Sequence, residues 1–238
     1  MLLFFLRHAD PTYEPDDITP LGKKQADALA QRLYKSGINK IYSSSSVRAM
    51  KTAASTARLV HKDITPLDFA REDLLWRDLT VTNDAGKRVW CFFDKDFVEF
   101  FQTAEIRKLG SKWYEHYAFT SSNYKSAMER IDAESDKFIE SLGYRHDRER
   151  GGYIPVKPNN DRIAFFAHHG FGMAFLSSIL DIPFPLMSTH FEISHTGMTV
   201  IEFCDKASFV VPRVLQMSND SHLYRFGLST KYNNYVEF

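Results

Sequence analysis

Two stretches of the sequence end an apolar run on strongly basic side chains. "LLFFLRHAD" delivers Arg7 and His8, and "IAFFAHHGFG" delivers His168 and His169. A third basic group, Arg48, follows the serine run in "IYSSSSVRAMKTA". Guanidinium forks hold phosphate oxygens through paired, charge-assisted hydrogen bonds. An imidazole with its lone pair available near neutral pH can attack phosphorus. The arginines and a second histidine would then stabilise charge on the equatorial oxygens. The leaving oxygen still needs a proton, and "FAREDLLWRDL" offers Glu72, with Asp73 as the alternative. Metal catalysis is the other use of clustered histidines. HxxxH and HxH spacings are absent here, and the arginines would repel a cation. Neither a metal nor a cofactor is expected.

These residues meet only if the ends of several strands meet. Residues 1–7 form a continuous apolar run, which fits a buried central strand. Residues 9–18, rich in Pro, Asp and Thr, read as loop. "TPLGKKQADALAQRLYKSG" predicts a helix with Thr19 as N-cap, Pro20 in its first turn and Gly37 at its end. Its apolar stripe is Leu21, Ala26, Leu29, Ala30 and Leu33. "NKIYSS" predicts a strand, "SSVRAMKTAASTARLVH" a helix and "ITPLDFA" an extended segment. This β-α-β-α-β order is the pattern of an α/β fold with a largely parallel sheet. In such sheets ligands bind at the carboxyl ends of strands, where helix N-termini also favour anions.

The stretch from about residue 76 to 160 is rich in aromatics and charges and reads as a helical insertion packed beside the sheet. It includes a long helix in "SSNYKSAMERIDAESDKFIESLGY", with Ser122 as a candidate cap and Met128, Ile131, Ala133, Phe138 and Ile139 as its stripe. A loop or hairpin follows in "RHDRERGGYIPVKPNNDR". The α/β pattern resumes at "RIAFFAHHG", and "MTVIEF" and "FVVPRVLQM" read as closing strands.

At 238 residues the chain fits one α/β domain, 1–238, carrying that insertion. Thirty basic and thirty acidic residues balance, which argues against a general nucleic-acid binder. Cys91 and Cys204 lie far apart beside aromatics and read as buried free thiols, a usage that suits a reducing cytoplasm. The N-terminus lacks signal-peptide features, and no apolar run approaches the roughly 20 residues that span a bilayer. A cytoplasmic protein without nucleic-acid or membrane partners is expected.

The motifs together resemble the histidine phosphatase superfamily, also called phosphoglycerate mutase-like. The family's "RHG" stands here as "RHAD", its "LTxxGxxQA" as "ITPLGKKQADALA", its "SxxxRAxxTA" as "SSSVRAMKTA" and its late "SHGG" as "AHHGFG". The resemblance covers roughly residues 1–75 and 160–205. It implies a three-layer α/β/α sandwich around a mostly parallel sheet. It also implies that His8 is the nucleophile that becomes phosphohistidine, and that Arg7 and Arg48 hold the phosphoryl oxygens. His168 takes the second histidine slot because Gly170 and Gly172 then keep their register; His169 is the alternative. Glu72 is the candidate acid and Asp73 the runner-up. His195 and Thr196 fall where the family often places a polar residue beside the phosphate. Ala9 replaces the glycine of "RHG", a backbone position that an L-residue must be able to adopt.

The family contains mutases and phosphatases. "ADPTYEPDDITPLG" is short and lacks the Asn and "GW" stretch of the phosphoglycerate mutases, which argues for hydrolysis of a small phosphate monoester. A mutase-type phosphotransferase and a non-catalytic phospho-ligand-binding member are the alternatives. Trp76, Trp90, Phe92, Phe93, Trp113, Tyr114 and Tyr117 are candidates to cover the pocket, or else to bury the insertion's own core. Exposed ones are candidates for a homodimer surface. Glu14, Asp16 and Asp17 fall close to the pocket mouth and would discourage polyanions.

Overall fold

The apolar opening forms strand β1 (Leu2–Arg7), and its side chains alternate between two cores. Leu3 and Phe5 join one buried cluster, while Phe4 and Leu6 join the other. A strand buried on both faces has no solvent side, so its sequence reads as a continuous apolar run. The computed structural model describes residues 1–204, 207–231 and 235–236.

Residues 9–18, read as loop, instead contain a two-stranded hairpin of β2 (Pro11–Tyr13) and β3 (Asp16–Ile18). No short-turn dipeptide such as Asn-Gly marks it in the sequence. Helix α1 (Pro20–Ser36) starts as expected: Thr19 Oγ1 accepts the amide of Gly22. It ends at Gly37, whose φ of 68° is left-handed. Of its apolar stripe, Leu21 is exposed and the other four are buried. Strand β4 (Lys40–Ser44), helix α2 (Val47–Val60) and strand β5 (Ile64–Leu67) follow.

Helix α3 (Glu72–Asp78) leads into the insertion, which contains a hairpin of β6 (Thr80–Thr82) and β7 (Arg88–Trp90), α4 (Lys95–Phe101), α5 (Ala104–Leu109) and α6 (Tyr124–Ser141). Helix α6 takes Asn123, not Ser122, at its N-cap position; Ser122 Oγ instead accepts the Tyr124 amide. Met128, Ile131, Phe138 and Ile139 are buried, whereas Ala133 is exposed. A hairpin of β8 (Tyr144–Asp147) and β9 (Gly152–Pro155) closes the segment. Trp113 and Phe101 of the insertion share one buried cluster with Phe5, Phe165 and Phe175.

Then come β10 (Arg162–Ala167), α7 (His169–Leu180), α8 (Phe184–His190), β11 (Met198–Glu202), β12 (Arg213–Asn219) and α9 (Ser221–Arg225). The closing strand is shorter than its sequence suggests, because Val210 makes only an isolated bridge to Tyr153. The central sheet runs β12-β11-β1-β10-β4-β5. Strands β1, β10, β4 and β5 are parallel, and β11 is antiparallel to β1. Helices α1 and α2 cover one face through Leu29, Leu33 and Ala53, while α6 and α7 cover the other through Phe138, Phe171 and Phe175. This is the expected three-layer α/β/α sandwich with a helical, aromatic-rich insertion.

Cys91 is buried, and burial pushes its thiol up to about 12. Cys204 is exposed, against expectation; its neighbour Phe203 takes the buried position at the strand end. Among the described residues no helix is long and apolar enough to cross a membrane.

Candidate functional site

Four parallel strands in the order β1-β10-β4-β5 place their carboxyl ends side by side. His8 follows β1, His168 follows β10, Ser44 ends β4, and Glu72 lies just past β5. Because β11 runs the other way, its N-terminal approach comes to the same edge. Met198 pairs with Leu6, so residues 192–196 lie beside Arg7 and His8. Six residues singled out in the sequence therefore meet: Arg7, His8, Arg48, Glu72, His168 and His195.

His8 and His168 face each other with ring centroids 5.1 Å apart, and His195 stands 5.6 Å from His8. His8 Nδ1 lies 2.8 Å from the carbonyl oxygen of Ala9. A carbonyl only accepts, so Nδ1 carries the ring proton and Nε2 keeps its lone pair. Ala9 fits without a left-handed backbone, and Thr52 Oγ1 accepts its amide at 3.0 Å. His168 Nε2 lies 2.8 Å from Ser44 Oγ and 3.2 Å from Ser46 Oγ. Burial lowers both His8 and His168 well below the usual histidine value. The neighbouring His168 and Arg7 add to this for His8, and Arg48 and Arg7 for His168.

Each arginine is held by fixed partners. Arg7 donates to the Ile193 carbonyl and, at 3.0 Å, to His195 Nε2. Arg48 donates to Asp16 Oδ1 at 2.9 Å and to Glu72 Oε2 at 3.3 Å. Glu72 Oε1 also accepts the amide of Gly170, in the first turn of α7, at 2.8 Å. Glycine is required at 170 because a Cβ there would lie 2.3 Å from the Trp90 ring. Three buried polar atoms of this cluster have no hydrogen-bond partner among the described residues: Arg7 Nε, Arg48 Nε and His168 Nδ1. Buried donors without partners are rare in folded proteins.

The remaining candidates separate. Asp73 turns away to pair with Arg71 at the surface. His169 opens α7 and stacks on Phe93, with its Nε2 2.6 Å from Glu192 Oε1. The Thr196 side chain is not part of the cluster. Its hydroxyl donates to the His195 carbonyl and lies 3.0 Å from His222 Nε2, and only its backbone amide reaches Arg7 and His8. Of the insertion's aromatics, Trp90, Phe92 and Trp113 are buried in the core, whereas Trp76, Phe93 and Tyr117 are exposed.

The pocket is less cationic than its arginines suggest. Asp16 and Glu72 sit on Arg48, and Glu192 lies 3.7 Å from Arg7. Burial pushes the Glu192 carboxyl up, but His169 and Arg7 outweigh it and hold the group below its usual value. The sequence sets Asp16 only near the mouth, and it does not mark Glu192, Ser44 or Ser46 as site residues. Only the serine run as a whole is a usable signal for His168's partners, whereas no spacing in "HFEISH" marks Glu192. His8, Glu72 and His168 each offer one metal-ligating atom, all within 4.8 Å of one another. Two guanidinium groups in the same cluster favour an anion over a cation there. A cavity of about 200 Å³ adjoins the cluster, lined by Asp10, Gln25, Ser194, His195, Ser229 and Thr230 among others.

Residues 3–85 match the family model of the histidine phosphatase superfamily, branch 1. No curated protein matches the chain. Among solved structures, phosphoserine phosphatase from Entamoeba histolytica, in complex with 3-phosphoglyceric acid, is similar with a TM-score of 0.59 and 18% identity. That match covers 93% of this chain and 98% of the other. A mycobacterial glucosyl-3-phosphoglycerate phosphatase with inorganic phosphate gives 0.57 and 18% over 93% and 98%. The α-ribazole phosphatase of Shigella flexneri gives 0.57 and 16% over 92% and 97%. At these identities the likeness is one of fold.

Proposed function

We propose that the chain is a member of the histidine phosphatase superfamily, whose model matches residues 3–85, and that it is a metal-independent phosphatase that hydrolyses a small phosphate monoester through a phosphohistidine on His8. The observation that carries this reading is the set of unpartnered buried donors, Arg7 Nε, Arg48 Nε and His168 Nδ1, clustered around the His8 ring. A phosphoryl group supplies the acceptors those donors lack.

His8 Nε2 attacks phosphorus, the N–P bond forms and the ester P–O bond breaks. Glu72 is the group that gives the leaving oxygen a proton. Water then attacks the phosphohistidine, Glu72 takes the water's proton, and the N–P bond breaks to release phosphate. A serine hydroxyl donating to His168 Nε2 leaves that ring's proton on Nδ1, available to a phosphoryl oxygen. The cavity beside His195 and Asp10, walled by Leu21, Leu223 and Leu228 as well as by polar groups, suits a small leaving group with both polar and apolar parts.

The test is hydrolysis of p-nitrophenyl phosphate in the presence of EDTA by wild type, His8→Ala, Glu72→Gln and Asp73→Asn. His8→Ala should lose turnover and the acid-labile phosphoenzyme. Glu72→Gln should slow an alkyl phosphate far more than the nitrophenyl ester, whose leaving group needs little protonation, and Asp73→Asn should leave both rates near wild type. A His8→Ala protein that still turns over would overturn the nucleophile, and transfer of phosphate to a second hydroxyl in place of water would point to a mutase.

A further inference from the structure

Away from the sheet edge, α1 and α9 enclose a cleft of about 360 Å³ lined by Arg32, Lys35, Ser36, His222, Arg225 and Phe226 among others. No carboxylate lines it. Arg32 is fixed by neutral acceptors alone: Nη1 donates to the carbonyl and the Oδ1 of Asn219, and Nη2 to Gln216 Oε1. Burial lowers its pKa, partly offset by Asp220. Three cations thus converge on one concave surface without a carboxylate among them. The carboxyl end of α1 brings about half a negative charge to the same cleft, too little to offset three cations.

The cleft is also connected to the proposed nucleophile. Arg32 Nη1 lies 3.5 Å from His222 Nδ1, a long contact in which only the arginine can donate. Burial, reinforced by Arg32, lowers His222 to about 3, so the ring is neutral and carries its proton on Nε2. That Nε2 donates to Thr196 Oγ1 at 3.0 Å, and Thr196 Oγ1 donates to the His195 carbonyl at 2.6 Å. The Thr196 amide in turn reaches the carbonyls of Arg7 and His8. The side-chain contacts thus run from Arg32 through His222 to Thr196, whose backbone amide is shared between the two carbonyls at the end of β1.

We propose that this cleft is a second ligand site, for a phosphate-bearing small molecule, and that its occupancy is transmitted through His222 and Thr196 to Arg7, His8 and His195. The Arg225 fork suits phosphate oxygens, Arg32 adds its charge and the one Nη2 hydrogen that Gln216 leaves, Lys35 adds a point charge, and Phe226 offers an apolar wall. The cleft's volume is that of a small-metabolite pocket. The binding claim stands whether or not the chain hydrolyses phosphate esters; the transmission claim rests on the phosphatase reading.

Pyrophosphate is the probe, titrated calorimetrically into wild type and into Lys35→Gln/Arg225→Gln. Both side chains are exposed, so the variant keeps the packing intact. Loss of one binding event, or an affinity drop of about tenfold or more, supports the site. An isotherm identical to wild type overturns it. For transmission, kcat is read at saturating p-nitrophenyl phosphate with and without pyrophosphate. Competition at His8 leaves kcat unchanged, so a kcat shift in wild type that vanishes in the variant supports the link. Binding at the cleft with no kcat shift overturns the link and retains the site.

Discussion

His8 is buried to 1% exposure at the end of a central strand, beside Arg7 and against His168. These surroundings act on its chemistry in one direction. Burial first, then the neighbouring imidazole and guanidinium, disfavours the imidazolium. The Ala9 carbonyl meanwhile fixes the proton on Nδ1. The proposed nucleophile is therefore held as the neutral tautomer with Nε2 bare. The expected outcome is that the ring nitrogens of His8, read by 15N chemical shift in the free protein, remain those of a neutral Nδ1–H imidazole as pH falls through the ordinary value near 6.5. A ring that titrates near 6.5 would show that burial does not dominate. Since the lowered pKa keeps the free base present as pH falls, the nucleophilic form should persist into mildly acid solution.

At the scale of elements, the hairpin β2–β3 and the start of α2 are joined by one carboxylate. Asp16 Oδ2 accepts the Val47 amide at 2.9 Å while Oδ1 holds Arg48. Ser46, the N-cap of α2, makes no side-chain cap of its own and lies near His168 instead. Asp16 thus stands in for the missing cap and aims the arginine. Asp16→Ala should destabilise the fold by about 0.5–2 kcal/mol, as loss of a cap does, and should raise KM for a phosphate ester more than it lowers kcat. Thermal unfolding and steady-state kinetics together check this, and a change in melting temperature alone would leave Asp16 merely structural. Such pairings also mark the limit of what the sequence shows. Thr19, Pro20 and Gly37 act on their own helix, so α1 can be read locally, cap to cap. Arg7, His8 and His168 can be read because each ends an apolar run. Asp16 on Arg48, Glu192 on His169 and Ser46 beside His168 join residues distant in sequence, and only the strand order brings them together. The aromatic insertion was ambiguous for a related reason: a ring in a core and a ring on a rim have the same sequence, and Phe92 and Phe93 divide between the two roles.

Across the whole molecule, the insertion is tied to the α/β frame by a charged network on the α6–α7 side of the sheet. His146 of β8 lies between two carboxylates, with Nδ1 2.8 Å from Asp136 of α6 and Nε2 2.9 Å from Asp181 at the end of α7. Both ring nitrogens face pure acceptors, so the arrangement is satisfied only by the imidazolium. Its ring also stacks on Tyr153 of β9, with centroids 4.2 Å apart. Arg148 adds contacts to Asp136 and to Ser178 of α7. Burial lowers the His146 pKa, but Asp136 and Asp181 outweigh it, and the folded value lies above the ordinary 6.5. The folded state therefore binds this proton more tightly than the unfolded chain. Its stabilisation is fully present below about pH 6.5 and is lost as pH rises through the folded value. His146→Gln should cost about 1.5–3 kcal/mol near pH 6, the range for hydrogen bonds to charged groups. The gap between wild type and variant in urea unfolding should narrow as the solution becomes alkaline. A gap that is constant with pH would mean that the ring contributes by packing on Tyr153 and not by its charge. Because the network joins α6 and β8 to α7, and α7 begins at His169 with Gly170 in its first turn, the same titration should be felt at the candidate site as a looser Glu72–Gly170 contact at high pH, readable as earlier amide exchange at Gly170 in wild type but not in the variant.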